Sequence, residues 1–197
     1  MNTDEYIQQI EEDIYKKTID TNIGWHETDI YVISYYFWED EQNPCKPRLS
    51  IGFNTERQYQ KMLPHVGKNH HDARWNYAWW CRDDLFSQYG CDQISAELIR
   101  KWVMSYNIHY FEEEWPHYGD DTDKWNQYDV IKSTFIHILI RIVQNLHNDG
   151  LLQLHFGKEI PMIIHELEYD ETSLKINVLA NGNELIEKGF VDLCNGK

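Results

Sequence analysis

The chain has 197 residues, 42% of them hydrophobic, and sets 18 Lys plus Arg against 33 Asp plus Glu for a formal charge of −15. That carboxylate excess speaks against a protein that grips phosphates, whether on nucleic acid or on an anionic membrane, because both partners demand a basic footprint. One globular α+β domain over 1–197 is expected, long enough to bury roughly 70% of its unfolded surface without metal or disulfide staples.

In chain order, Tyr6, Ile7, Ile10 and Ile14 fall on one helical face, with Asn2 or Thr3 as N-cap and Glu12–Lys16 and Asp13–Lys17 spaced as i,i+4 ion pairs. The run Ile30–Trp38 has only Ser34 as a small polar residue, which predicts a central strand covered on both faces. Past a turn-prone stretch, Leu49, Ile51 and Phe53 alternate with Arg48, Ser50 and Gly52, so a second strand forms a hairpin with the first. Thr55 to Gln58 has capping-box spacing ahead of a short helix that Pro64 ends.

The aromatics of Trp75–Trp80 predict a third strand, and Ser95 is placed to cap a helix burying Leu98, Ile99, Trp102, Val103 and Tyr106. From about Tyr128 to His147 a wide apolar stripe (Ile131, Phe135, Ile138, Leu139, Ile142, Leu146) predicts a helix laid on a sheet. Asn148-Asp149-Gly150 ends it, and strands are predicted over Leu151–Phe156 and from Ile160 to about Tyr169. The tail from Ser173 to Cys194 reads as helical with a break at Asn181-Gly182. The sum is a mainly antiparallel sheet of about five strands packed against helices.

Charge is unevenly spread. Between Glu112 and Asp129 stand seven acids and one base, Lys124, interleaved with Trp115, His117, Tyr118, Trp125 and Tyr128. Two readings compete for this stretch. It is a solvated acidic loop whose aromatics tuck into the core, or it is a docking surface on which Glu112, Glu113, Glu114, Trp115, Tyr118, Asp120, Asp121, Asp123 and Trp125 meet a basic protein partner.

Motifs for chemistry are sparse. The ten glycines form no GxGxxG, GxxxxGK[ST] or GxSxG, so no cofactor is expected. Cys45, Cys81, Cys91 and Cys194 contain no CxxC, and the acidic start at 1–13 lacks the features of a signal peptide, which together point to the cytoplasm and thiols. Phe135–Val143, interrupted by His137 and Arg141, is too short to cross a membrane. His70-His71-Asp72 lacks metal-site spacing and reads as a loop. Cys81 or Cys91 could pair with a distant histidine, but no local motif supports it. His165, on a strand face with Ile163, Leu167 and Tyr169, reads as a hydrogen-bonded core or edge histidine ahead of a catalyst, or as a pocket residue.

Three blocks carry a resemblance: Asn54-Thr55-Glu56 after a strand, Arg74-Trp75-Asn76-Tyr77-Ala78, and the run from Phe156 to Asp170. Together they resemble a bacterial domain-of-unknown-function family, the one numbered 4303, from about Ile30 onward. The tail departs from that pattern, since Ser173–Val178 lacks a tryptophan-bearing helix start. The resemblance transfers no catalytic motif and implies a role like that of immunity proteins set beside bacterial toxins. The expectation is therefore a non-enzymatic binding protein that neutralises a basic toxin. The alternative is an enzyme or small-ligand protein with a pocket in the aromatic strands, lined by Arg74, Trp75, Asn76, Tyr77 and His165.

Overall fold

The computed structural model describes residues 1–40, 43–66, 70–81, 87–108 and 122–196, except the side chains at 23, 40, 43, 87 and 122–125. The chain begins with α1 (Thr3–Ile23), where Asn2 and Glu5 form a reciprocal capping box. On its outer face Glu12 and Asp13 accept hydrogen bonds from Gln8 and Gln9 one turn earlier. Next come β1 (Ile30–Asp40) and β2 (Asn43–Thr55), paired antiparallel as the predicted hairpin. Thr55 caps α2 (Glu56–Met62) by accepting from the Gln58 N–H, and a 3-10 turn carrying Pro64 ends it. There follow α3 (His70–Trp75), a 3-10 turn at Tyr77–Trp79, β3 (Ser87–Tyr89), α4 (Gln93–Ser105), α5 (Thr122–Asn148), α6 (Leu151–Phe156), β4 (Met162–His165), α7 (Glu171–Asn181) and α8 (Lys188–Cys194).

The four strands make one mixed sheet in the order β3-β2-β1-β4, with β1 and β4 parallel and the other two pairings antiparallel. The architecture is α+β and two of the three pairings are antiparallel, in line with the expected mainly antiparallel sheet, but among the described residues the sheet has four strands rather than about five. Two predicted strands are helical, and one strand, β3, lies outside the predicted set. Trp75 closes α3, and the Asn76 side chain accepts from the Ala78 N–H to wind the next three residues into a 3-10 turn. The hexapeptide Leu151–Phe156 is a helical turn and a half framed by Gly150 and Gly157, both at positive φ. A strand there would bury Leu154 with Leu152, whereas Leu154 is 82% exposed and Leu152 is 1% exposed. The last predicted strand shrinks to Met162–His165, because Leu167 and Glu168 turn to solvent and Asp170 caps α7. The α4 cap is Asp92 rather than Ser95, which sits one turn inside and hydrogen-bonds back to it.

Alternation along the strands divides the interior into two cores. Ile33, Tyr35 and Phe37 of β1, Leu49, Ile51 and Phe53 of β2, and Met162 and Ile164 of β4 pack with α1, α4 and α5 through Ile10, Ile14, Trp102, Phe135 and Ile138. The opposite face carries a smaller aromatic core of Tyr31, Val32, Trp75, Tyr77, Trp80, Ile163 and Phe190. A register shift between Ile30 and Val32 places Tyr31 and Val32 together on this second face, as an extra residue in one strand of a pair does. Each face of β1 is thus covered by helices, as its unbroken apolar run requires. No helix among the described residues is long and apolar enough to cross a membrane.

Candidate functional site

The predicted docking stretch falls mainly outside the described residues. Glu112, Glu113, Glu114, Trp115, Tyr118, Asp120 and Asp121 lie there, and so do the side chains of Asp123 and Trp125, whose backbone forms the first turn of α5. Further along that helix Tyr128 and Lys132 are described: Lys132 lines a groove at the C-terminal end of β1, and the Tyr128 hydroxyl donates to Glu39 on its rim.

The proposed pocket residues Arg74, Trp75, Asn76, Tyr77 and His165 are brought into one neighbourhood, although mostly as packed interior. Arg74 is the fastener of α3. Its Nη1 donates to both Glu56 carboxylate oxygens at 3.0 Å, while Nε and Nη2 donate to Glu187 at 3.0 and 3.1 Å. The guanidinium lies 4.0 Å from the Tyr31 ring centroid, and the Arg74 carbonyl accepts from Trp80 Nε1 and from the Tyr31 hydroxyl. Burial pulls its pKa down, but the Glu187 and Glu56 carboxylates raise it overall. Such a guanidinium is committed to tying α2, α3 and the start of α8 together. Trp75 and Tyr77 are buried beside it, and Asn76 is spent on its turn.

His165 is 1% exposed and ringed by aromatics: the centroids of Tyr77, Tyr36, Trp80 and Tyr169 lie 4.7, 5.6, 5.6 and 5.6 Å from its own. Its Nδ1 stands 2.7 Å from the Glu166 carbonyl oxygen, which can only accept, so Nδ1 carries the proton. Nε2 then accepts from the Ser34 hydroxyl at 2.9 Å. Desolvation pushes the imidazole pKa down to about 4, so the ring is neutral near pH 7. Serine, imidazole and a carbonyl in line have the polarity of an activated nucleophile. Ser34, however, is also 1% exposed, and a substrate carbonyl has no approach to its Oγ. The pair satisfies two polar groups in an aromatic core.

The surface that is open lies just beyond. A groove of about 650 Å³ runs between the end of β1, α5 and the β4–α7 connection, with His165 at its floor. On β1, Trp38 stacks on Tyr36 with centroids 5.3 Å apart and planes 14° off parallel, and Tyr36 stacks on Tyr77 at 4.8 Å. The rim is acidic: among the described residues Glu39, Glu166, Glu168 and Asp170 border it, against a single lysine, Lys132. The Lys132 ammonium donates to Glu166 at 2.7 Å and lies 3.5 Å from Glu39, which also accepts from the Tyr128 hydroxyl. Burial lowers the Lys132 pKa and the two carboxylates raise it by more, so the amine stays charged. Four carboxylates and one ammonium leave the rim at minus three.

Sequence reasoning missed Tyr36, Trp38, Glu39, Lys132, Glu166 and Glu168 as a set. The available signal was the alternation in β1, where Ser34, Tyr36 and Trp38 share the face opposite Ile33, Tyr35 and Phe37. Elsewhere, His71 lies 3.8 Å from Asp192, and no three His, Cys, Asp or Glu among the described residues converge as metal ligands. No disulfide forms among the four cysteines, and burial raises the Cys81 thiol pKa, the opposite of what an activated nucleophile needs. No protein family, curated protein or solved structure matches the chain.

Proposed function

We propose that this chain is a cytoplasmic, non-enzymatic binding protein of the immunity type, which occludes a basic toxin by lying across its functional surface. The observation that carries this reading is the acidic groove at the end of β1, where two stacked aromatics provide rigid contact area and the rim holds a surplus of three negative charges. The overall charge of −15 supports it by steering a cationic partner toward the surface and repelling acidic competitors. The acidic and aromatic stretch from Glu112 to Asp129 adds to that charge in the sequence. Ser34, the hydroxyl beside His165, is buried at 1% exposure.

The test is co-expression with the product of the adjacent gene, followed by titration of the purified pair at low and high salt. Sub-micromolar binding that weakens as salt rises, together with rescue of growth, is expected. Absence of both binding and protection overturns the reading.

A further inference from the structure

We propose that the groove receives an extended, basic segment of the partner, laid along β1 as a continuation of β4, with a lysine or arginine side chain over Trp38. The proposal rests on the reading above and specifies the partner chemistry at that site.

The backbone supplies the first argument. β4 stops at His165, which pairs with Tyr36, whereas β1 continues to Asp40. The Ile33 N–H donates to the Pro161 carbonyl on the β4 side, so strand alternation turns the peptide groups of Phe37 and Glu39 to that side as well. Among the described residues, no strand pairs with β1 there beyond Tyr36. The Phe37 carbonyl and the Glu39 N–H and carbonyl are therefore aligned along the line that β4 vacates, inside the groove. An exposed strand edge is a template for an added strand.

Side chains supply the second. Trp38 and Tyr36 present stacked rings beside carboxylates, the setting in which a guanidinium or ammonium gains both ring-face and ionic attraction. Lys132 offsets only one of the four rim carboxylates, and Glu168 stands exposed at the mouth. Leu167, 64% exposed on the same rim, offers an apolar contact for alternate residues of a strand. A segment of alternating basic and apolar residues matches all three features.

The probe is a fluorescently labelled octapeptide of alternating arginine and valine, titrated by anisotropy at low and moderate salt. Two further versions carry N-methyl groups on all arginines or on all valines, since a strand turns alternate N–H groups to opposite edges. One N-methylated version should lose at least tenfold in affinity while the other keeps most of it, and Trp38→Ala and Glu168→Lys should each weaken the parent peptide by at least fivefold. Glu168→Lys lies on the surface and keeps the test valid if Trp38→Ala disturbs folding. Equal affinity of both N-methylated versions and the parent, or unchanged affinity in Glu168→Lys, overturns the proposal. If the adjacent gene's product binds and the octapeptide does not, this site is wrong and the reading above stands. If neither binds, both fall.

Discussion

Asn177 of α7 hydrogen-bonds to both backbone groups of Ile164: its Oδ1 accepts from the Ile164 N–H and its Nδ2 donates to the Ile164 carbonyl, each at 2.8 Å. One helical turn later Asn181 repeats the contact with Met162, at 2.7 and 2.9 Å. Four helical residues rise ~6 Å and two strand residues ~6.6 Å, so an i,i+4 asparagine pair matches the i,i+2 spacing of β4. The two carboxamides stand in for a fifth strand and close an edge that would otherwise be open to another chain. Asn177→Leu keeps the volume but leaves a buried donor and acceptor unsatisfied, at a cost of about 2–4 kcal/mol. Urea denaturation should show the midpoint falling with little change in slope. Asn181→Ala, in a less buried position, should cost less.

This edge explains why the sheet was only partly legible. Ile30–Trp38 and Leu49–Phe53 declared themselves because one run is apolar on both faces and the other alternates, and strand pairing fixes both patterns. β4 is shorter than its apolar run predicts, since its neighbour is a helix presenting side chains and periodicity does not register that. Leu151–Phe156 fits either period over six residues, and only the exposure of Leu154 decides. The aromatics of Trp75–Trp80 favour a strand by propensity, whereas tertiary packing around Tyr31 and Phe190 and a side-chain cap at Asn76 set their backbone.

Arg74 illustrates how a residue picked out as pocket lining does structural work instead. Arg74→Lys removes the planar fork that engages Glu56 and Glu187 together and the face that lies on Tyr31. Both carboxylate partners are about half exposed and regain water, so the loss is held to about 1–3 kcal/mol. A double-mutant cycle pairing Arg74→Lys with Glu187→Gln should give a coupling of about 0.5–1.5 kcal/mol that shrinks in 1 M salt. Zero coupling would mean that the Glu187 contact adds nothing and that Glu56 and the Tyr31 ring account for the role of Arg74.

Of the sequence-picked pocket set, His165 is the member at the groove, and its burial predicts a pH signature. The folded-state pKa, about 4, lies below the ordinary value of about 6.5, so the unfolded chain binds the extra proton first. Stability from this group is complete above pH 6.5 and falls as pH drops toward 4, by roughly 3 kcal/mol in all. Thermal melts of wild type and His165→Gln from pH 7.5 to 4 should differ by a constant amount above pH 6.5, with the wild type losing ground below it. Parallel curves down to pH 4 would show that the imidazole can take up a proton in the folded state. The neutral ring also explains why the sequence alone left the role open: a strand-face histidine gives no hint of the four aromatic rings that desolvate it.

Gly189, in the first turn of α8, tests how tightly the second core is closed. A Cβ built there would meet His71 Nδ1 at 2.6 Å and Trp75 Nε1 at 3.0 Å. His71 is partly exposed and can swing aside, but Trp75 is 1% exposed and wedged between Tyr31 and Phe190. In a free helix Gly→Ala would stabilise by about 1 kcal/mol. Here overpacking, typically about 1–3 kcal/mol, opposes that gain. Gly189→Ala should therefore be destabilising by about 1–2 kcal/mol, and His71→Ala in the same chain should recover only part of it because the indole stays in place. A neutral or stabilising outcome in urea titrations would mean that α8 can shift away from α3, and that Arg74 and Glu187 do not hold the two helices in fixed register.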